Sequence, residues 1–181
     1  CMVRPVGHRT RQPVGVGAGI GTTTMNRSEQ SWRSGDVFLR GTSLGDGPLV
    51  LFLHAGRERR QVWDPVIDDL VAGHQIRCVS VDQRGHGEST GTPVQLADFS
   101  DDVHTMLAPE DRPVVIVGCS LGGMAAMAAL ANEAVRKVVV GLVLVDVVPD
   151  PDPDVARQFL GGRGLLDGAN PLVEDILASG P

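Results

Sequence analysis

Two kinds of hydrophobic pattern alternate along the middle of the chain. Short blocks that are apolar at nearly every position, such as Leu49–Leu53 and residues 114–117, are separated by segments in which apolar residues recur at three- and four-residue intervals. The first pattern is typical of strands buried on both faces of a sheet, and the second of helices with one buried face. Their alternation predicts an α/β fold with a mostly parallel sheet and helices on both faces.

The regular part of this pattern extends from residue 36 to residue 149. Its first strand is followed by a Gly/Asp turn. Further along the chain, a third helix is predicted at residues 122–135, between two buried strands. Gly73 is placed to end the first helix. The apolar residues at helical spacing are Val62, Val66, Leu70 and Val71 in the first helix, and Leu96, Phe99, Val103 and Leu107 in the second.

Both ends of the chain differ from this core of residues 36–149. Residues 1–35 carry five arginines and one glutamate, a net charge of +4 in a chain whose formal net charge is −6. We expect an N-terminal extension without a fixed fold there, explained by a wrong start before Met25 or by an Arg-rich transit peptide. Beyond the core, the acidic stretch "PDPDPD" leads into residues 150–181, where short helices with glycine breaks are predicted.

Composition and charge exclude several classes of protein. With 181 residues, 42% of them hydrophobic, the chain has the size of one globular domain. The negative net charge argues against nucleic acid or an anionic membrane as a partner, and the longest apolar run is too short to span a bilayer. Three scattered cysteines predict no disulfide framework and no metal site, and they indicate the cytoplasm. Gly15 and Gly17 are followed by Ile20 where a dinucleotide-binding loop needs glycine, so no cofactor is expected.

The most informative short motif is "GCSLG" at residues 118–122. It has the form G-x-S-x-G and lies between a predicted strand and a predicted helix, which is typical of a turn that exposes a nucleophilic serine. Ser120 is therefore the candidate nucleophile, held in a strained backbone that costs about 1–3 kcal/mol. The N–H of Leu121 points towards the same space, where a helix start favours negative charge. Cys119 is the poorer candidate, because a motif centred on it would put Val117 where a small residue is required.

Two further segments complete a resemblance to a known family. The stretch "LVLFLHAG" (residues 49–56) is a strand that ends in a His-Ala-Gly loop, and "DQRGHGES" (residues 82–89) has the form Asp-x-Arg-Gly-x-Gly-x-Ser. Together with "GCSLGG", these segments resemble the α/β-hydrolase superfamily in their order and spacing. The nearest branch is the one that holds esterases, lactonases and cofactor-free haloperoxidase-like enzymes. The resemblance covers residues 36–160.

This resemblance implies an α/β-hydrolase fold, no cofactor and no metal. It also implies an oxyanion hole formed by the N–H groups of Gly56 and Leu121. Ala55 stands where the family usually has glycine, and alanine restricts the backbone more than glycine does. Structural roles in shaping the two loops are expected for His54, Asp82, Arg84 and His86.

A serine nucleophile needs a base, and the base needs an orienting acid. In the family the chain order is serine, then aspartate or glutamate, then histidine. All five histidines of this chain precede Ser120. Asp146, at the end of the last predicted strand, is the candidate acid, because some relatives place the acid there. The chain therefore resembles a C-terminally truncated hydrolase, with the last core strands missing and the start of a helical cap in residues 150–181.

The sequence predicts a serine hydrolase that acts on an ester, lactone or related acyl bond of a small molecule. Because the late histidine is missing, we expect the chain alone to be inactive. Two alternatives stay open: a non-catalytic ligand-binding module with the same fold, and a partial domain that another chain complements. Self-association is also expected, because the strand at residues 138–145 would lack an outer neighbour.

Overall fold

The computed structural model describes residues 26–93 and 95–147, which form one mixed sheet with helices on both faces. A 3₁₀ turn, Arg60–Trp63, precedes the first helix. The strands are β1 (Ser28–Ser34), β2 (Val37–Gly45), β3 (Leu49–Leu53), β4 (Arg77–Asp82), β5 (Val114–Cys119) and β6 (Val139–Val145), and the helices are α1 (Asp64–Gly73), α2 (Leu96–Leu107), α3 (Leu121–Ala129) and α4 (Glu133–Val138).

The order of the strands explains where a site can form. The sheet runs β1-β2-β4-β3-β5-β6, with antiparallel pairing of β1 with β2 and of β2 with β4, and parallel pairing elsewhere. The chain leaves β3 for β4 on one side and reaches β5 on the other. In sheets of this kind, ligands bind in the crevice at the carboxyl ends of the strands where the winding changes direction.

The core has two layers, one on each face of the sheet. Along β3, Leu51 and Leu53 face the layer that contains α2, α3 and α4, whereas Phe52 faces the layer that contains α1. This alternation follows from the two-residue period of a strand. It confirms the predicted α/β fold with a mostly parallel sheet covered on both faces. All four apolar residues predicted for the face of α2 are buried: Leu96, Phe99, Val103 and Leu107.

Regular structure starts earlier than the sequence indicated. Residues 28–34, which the sequence pattern places in the N-terminal extension, form β1, and the whole length of β1 pairs with β2. The strand was missed because "SEQSWRS" has one large apolar residue, Trp32, and an edge strand exposes most of its side chains. Residues 1–25 and the predicted cap at 150–181 lie outside the described residues.

Two helical predictions need correction. Val62 and Val66 are 48% and 45% exposed, whereas Ile67 and Val71 are buried. Val62 belongs to the 3₁₀ turn, whose period of three residues shifts the buried face relative to that of an α-helix. The single helix predicted at residues 122–135 is two helices, since the Asn132 side chain accepts a hydrogen bond from the Ala134 N–H (2.8 Å) and starts α4 anew.

Candidate functional site

Ser120 occupies a sharp corner between β5 and α3. Its backbone angles are φ 46° and ψ −110°, a region that residues with a side chain rarely adopt. Two backbone hydrogen bonds hold it there: the Ser120 N–H donates to the Val145 carbonyl (2.9 Å), and the Ser120 carbonyl accepts from the Met124 N–H (3.0 Å). The side chain is half-buried. Strain of this kind persists only where the surrounding structure enforces it, and it is concentrated at functional sites.

The two glycines of the motif make this corner sterically feasible. A Cβ atom at Gly118 would lie 2.6 Å from the carbonyl oxygen of Gly122, and one at Gly122 would lie 2.4 Å from the carbonyl oxygen of Leu53. Both contacts involve backbone atoms, which cannot rotate away as a flexible side chain would. The sequence pattern G-x-S-x-G is therefore a steric requirement of this turn.

The loop after β3 lies beside this corner, because Leu53 pairs with Gly118 in the sheet. The loop closes on itself: the Glu58 N–H donates to the Ala55 carbonyl, and the Ala55 N–H donates to the Glu58 carboxylate, both at 3.2 Å. Within the described part of the chain, no acceptor takes up the N–H of Gly56 or of Leu121. These two N–H groups, predicted as the oxyanion hole, thus remain available to a ligand.

His54 anchors the start of this loop and is fully buried. Its Nε2 accepts a hydrogen bond from the Gln83 N–H (3.1 Å), so its Nδ1 carries the proton and donates to the Ala55 carbonyl (2.7 Å). The side-chain amide of Gln83 donates to the His54 carbonyl (2.5 Å). Burial lowers the pKa of His54. With both ring nitrogens engaged, His54 has the structural role predicted for it and is not a base for Ser120.

Asp82 anchors the end of the same loop. Its buried carboxylate accepts hydrogen bonds from the N–H groups of Arg60 (2.8 Å) and Glu88 (3.0 Å), and from the Arg60 guanidinium. Gly87 is required here, since a Cβ atom would lie 2.2 Å from the Asp82 carboxylate. The adjacent residues Asp82 and Gln83 therefore fix both ends of the loop that carries Gly56.

The remaining polar residues of the second loop stabilise the loop itself. Arg84 makes two hydrogen bonds to the buried Asp102 carboxylate of α2 (2.7 and 2.6 Å), and this pairing raises the Arg84 pKa. The Nδ1 atom of His86 lies 2.9 Å from the Arg84 carbonyl. The His86 ring packs edge-on against His54, with 5.1 Å between the centroids. These contacts agree with the loop-shaping roles expected from the sequence.

The structure brings Ser120, Leu121, Gly56 and Asp146 to one edge of the sheet, and no histidine among the described residues hydrogen-bonds to Ser120. Asp146 follows β6 directly, is exposed, and has φ 55°. Burial raises the pKa of the Cys119 thiol, and the carboxylates of Glu58 and Asp146 raise it further, so Cys119 is a poor competing nucleophile. Among residues 26–93 and 95–147, no cluster of side chains could hold a metal ion. In the same part of the chain, no helix is long and apolar enough to cross a membrane.

Three residues that shape this site have no recognisable signal in the sequence. Arg60, in the run "RERR", has the pattern of a solvated charge, yet it is 4% exposed. Gln83 carried no motif signal, because it occupies a variable position of "DQRGHGES". Glu58 gave no signal either. Its partner Ala55 is only three residues away, but nothing in the sequence shows that this turn faces Ser120.

Sequence comparisons connect this geometry to a family. Residues 50–179 match a model described as the alpha/beta hydrolase family. A 2-(acetamidomethylene)succinate hydrolase of Mesorhizobium japonicum is 30% identical over 149 residues, which are 80% of this chain and 50% of that protein. An esterase of Mycobacterium tuberculosis is 36% identical over 130 residues, 67% of this chain and 40% of the esterase. Mouse protein phosphatase methylesterase 1 is 30% identical over 138 residues, 71% of this chain and 36% of that enzyme.

Solved structures with the same fold are more distant in sequence. An alpha/beta hydrolase from Novosphingobium aromaticivorans superposes with a TM-score of 0.63 at 24% identity, over 75% of this chain and 49% of that one. An epoxide hydrolase from Vigna radiata gives a TM-score of 0.65 at 20% identity, over 78% of this chain and 46% of its own. The chain thus spans about half the length of these relatives or less. By sequence match and by fold, the chain belongs to the alpha/beta hydrolase family.

Proposed function

We propose that the protein is a serine hydrolase that acts on an ester, lactone or related acyl bond of a small molecule, with Ser120 as its nucleophile. The observation that carries this proposal is the strained backbone of Ser120, φ 46°, at a corner that two glycines make feasible. Acyl chemistry agrees with the names of relatives, which include an esterase and a methylesterase. The substrates that those names give differ widely, so none is transferred to this chain.

In the proposed reaction, the Ser120 hydroxyl attacks the acyl carbon, and its proton passes to a base. The carbonyl oxygen becomes an oxyanion, which the N–H groups of Gly56 and Leu121 stabilise; one such donor is worth about 10²–10³ in rate. The alcohol leaves with the proton, and water then hydrolyses the acyl-serine by the reverse sequence of proton transfers. Asp146 is proposed as the acid that orients the base.

Among the described residues, no side chain is in place to act as the base of this mechanism. Both ring nitrogens of His54 are occupied, and among the described residues no histidine contacts Ser120. In a protease of the same chemistry, loss of the histidine costs about 2 × 10⁶ in turnover. We therefore expect the 181-residue chain by itself to show no measurable ester hydrolysis.

The absence of a neighbouring base among the described residues also favours a second candidate, a ligand-binding module without catalysis. A third candidate is a partial domain that a second chain complements, since β6 is the outer strand of the sheet among the described residues. In both cases the corner and the two N–H groups would bind a carbonyl or an anion without turning it over.

Chemical rescue separates these candidates. Small neutral imidazole can supply the missing base, so hydrolysis of p-nitrophenyl acetate by the chain in millimolar imidazole should exceed hydrolysis by Ser120→Ala under the same conditions. Without imidazole the two proteins should be equal. Ser120→Ala subtracts the hydrolysis that imidazole causes in solution, and circular dichroism checks that both proteins are folded. Mass spectrometry should find the acetyl group on Ser120.

Equal rates at every imidazole concentration, in folded protein without an acetyl adduct, would contradict the nucleophile assignment and favour a ligand-binding module. Ser120-dependent turnover without imidazole would show that the chain itself contains a base.

A further inference from the structure

The loop that contains Gly56 also contains the carboxylate of Glu58, on the side of the corner at Ser120. Glu58 is exposed, but it is not free to move away, because its carboxylate accepts the Ala55 N–H (3.2 Å) while its own N–H donates to the Ala55 carbonyl. The N–H of Gly56 lies in the middle of this small turn. A negative charge is therefore fixed within the loop that contributes one half of the proposed oxyanion hole.

A second carboxylate lies on the opposite side of Ser120. The Ser120 N–H donates to the carbonyl of Val145 (2.9 Å), and Asp146 is the next residue in the chain. Cys119, the residue before the nucleophile, pairs with Val145 in the sheet, and Asp146 follows Val145 in the chain. Ser120 thus lies between a carboxylate on the β3 loop and one at the end of β6.

Two of the nearby cations are engaged by other carboxylates. Arg60 is buried against Asp82 and Glu88, and Arg84 is paired with Asp102. Burial raises the pKa of the Cys119 thiol, and the carboxylates of Glu58 and Asp146 raise it further, which places both carboxylates within electrostatic reach of the residue before Ser120. Arg57 and Arg59 flank Glu58 on the same loop and are exposed.

We propose that Glu58 and Asp146 determine the charge specificity of the Ser120 site, so that it accepts neutral or cationic acyl substrates and disfavours those that carry a carboxylate near the acyl carbon. This proposal rests on the proposed function and deepens it. Because Glu58 and Asp146 are exposed, solvent screens their charges, and each is expected to change the reaction rate of a charged reagent by a factor of about three. Their positions in the chain, on the β3 loop and directly after β6, keep both carboxylates on the side of the sheet where Ser120 lies.

A thiol next to the nucleophile can measure this field without any catalysis. Cys119 is reacted with a cationic methanethiosulfonate, which carries a trimethylammonium group, and with an anionic one, which carries a sulfonate. The thiolate fraction is common to both reagents and cancels in the ratio of their rates. The background is Cys1→Ser, and Cys119→Ser identifies any reaction of the buried Cys78.

The expected cationic-to-anionic ratio at Cys119 is about tenfold above that of a small neutral thiol in the same buffer. Glu58→Gln and Asp146→Asn should each lower it about threefold. Asp111→Asn is the matched control, because Asp111 is exposed at the amino end of β5, away from Ser120, and its loss should leave the ratio unchanged. The same three substitutions are also made in a chain with Ser120→Cys and Cys119→Ser, which places the thiol at the position of the nucleophile. This second background gives the ratio even if Cys119 reacts too slowly to measure.

The proposal would be overturned by a cationic-to-anionic ratio at or below that of the small thiol at both positions. It would also be overturned if Glu58→Gln and Asp146→Asn left the ratio unchanged. This readout does not use the serine hydroxyl, so Ser120→Ala should keep the ratio at Cys119. A failed rescue by imidazole with an intact ratio would therefore count against the hydrolase assignment alone. Successful rescue with a flat ratio would count against the charge specificity alone.

Discussion

The two outer strands of the sheet, β1 and β6, are built in opposite ways. The first has the sequence "SEQSWRS" and exposes serine, glutamate and arginine side chains, and it turns into β2 through Gly35. The other has the sequence "VVGLVLV", without a charge, and its residues Val140, Val143 and Val145 are 68%, 48% and 39% exposed. In the part of the chain that is described, each has a single neighbour in the sheet.

The two edges therefore contribute differently: the β1–β2 side ends the sheet, and the β5–β6 side holds the proposed site. The β1–β2 side ends the sheet with polar side chains, which is how many proteins prevent pairing between edges. The β5–β6 side contains the strained corner, and β6 holds it directly through the Val145 carbonyl. Whatever covers the outer edge of β6 therefore lies close to the proposed site. The same strand would both hold the nucleophile and provide an apolar surface for contact with another polypeptide.

Two alanine substitutions test how differently the two sides tolerate change. At Gly122 a Cβ atom meets the Leu53 backbone at 2.4 Å, so Gly122→Ala should lower the free energy of unfolding by about 3 kcal/mol or more. At Gly35 a Cβ atom meets nothing within 4 Å, and only the positive φ of 59° opposes alanine, which costs about 1 kcal/mol.

Urea unfolding of both variants measures the difference. Equal losses would mean that the corner relaxes as easily as the hairpin turn, which would remove the steric explanation for the motif.

The edges themselves can be compared by adding one lysine to each. We expect the chain to self-associate through β6 at micromolar concentration, and Val143→Lys should shift it towards the monomer, because a charge on the strand must be desolvated when another strand approaches. Ser31→Lys on β1 is the control and should not change the oligomeric state, since that edge is already polar.

Light scattering and sedimentation give the populations. A monodisperse monomer of the unsubstituted chain would contradict the prediction and show that another part of the chain covers β6.

The sequence predicted the structural features that depend on local backbone geometry. The corner at Ser120 was found because its steric demands fall on residues 118–122, all within one motif. The buried face of α2 was found because its helix has a regular period. Neither needed knowledge of distant residues.

The rest of the site depends on contacts that no local pattern contains. Arg60 is buried because Asp82 and Glu88, 22 and 28 residues away, accept its hydrogen bonds. The β1 strand was missed for a related reason, since its pairing with β2 stabilises it more than its own sequence does. Local periodicity carries no information about such partners.

The smallest expected effect is a pH dependence confined to the site side of the sheet. Burial lowers the pKa of His54 below its ordinary value of 6.5, so the unfolded chain takes up the proton before the folded chain does. Neutral, buried His54 contributes its full stabilisation to the folded chain above about pH 6.5. This contribution to the free energy of unfolding is lost as the pH falls towards the folded pKa, by at most about 1.4 kcal/mol per pH unit. His54→Gln should remove this pH dependence and keep the fold, because an amide can accept from the Gln83 N–H and donate to the Ala55 carbonyl. The control is His74→Gln at an exposed position, which should preserve the pH dependence. In hydrogen exchange, the Gln83 N–H should lose protection on acidification while the β1–β2 amides keep theirs, and simultaneous loss on both sides would contradict a local effect of His54.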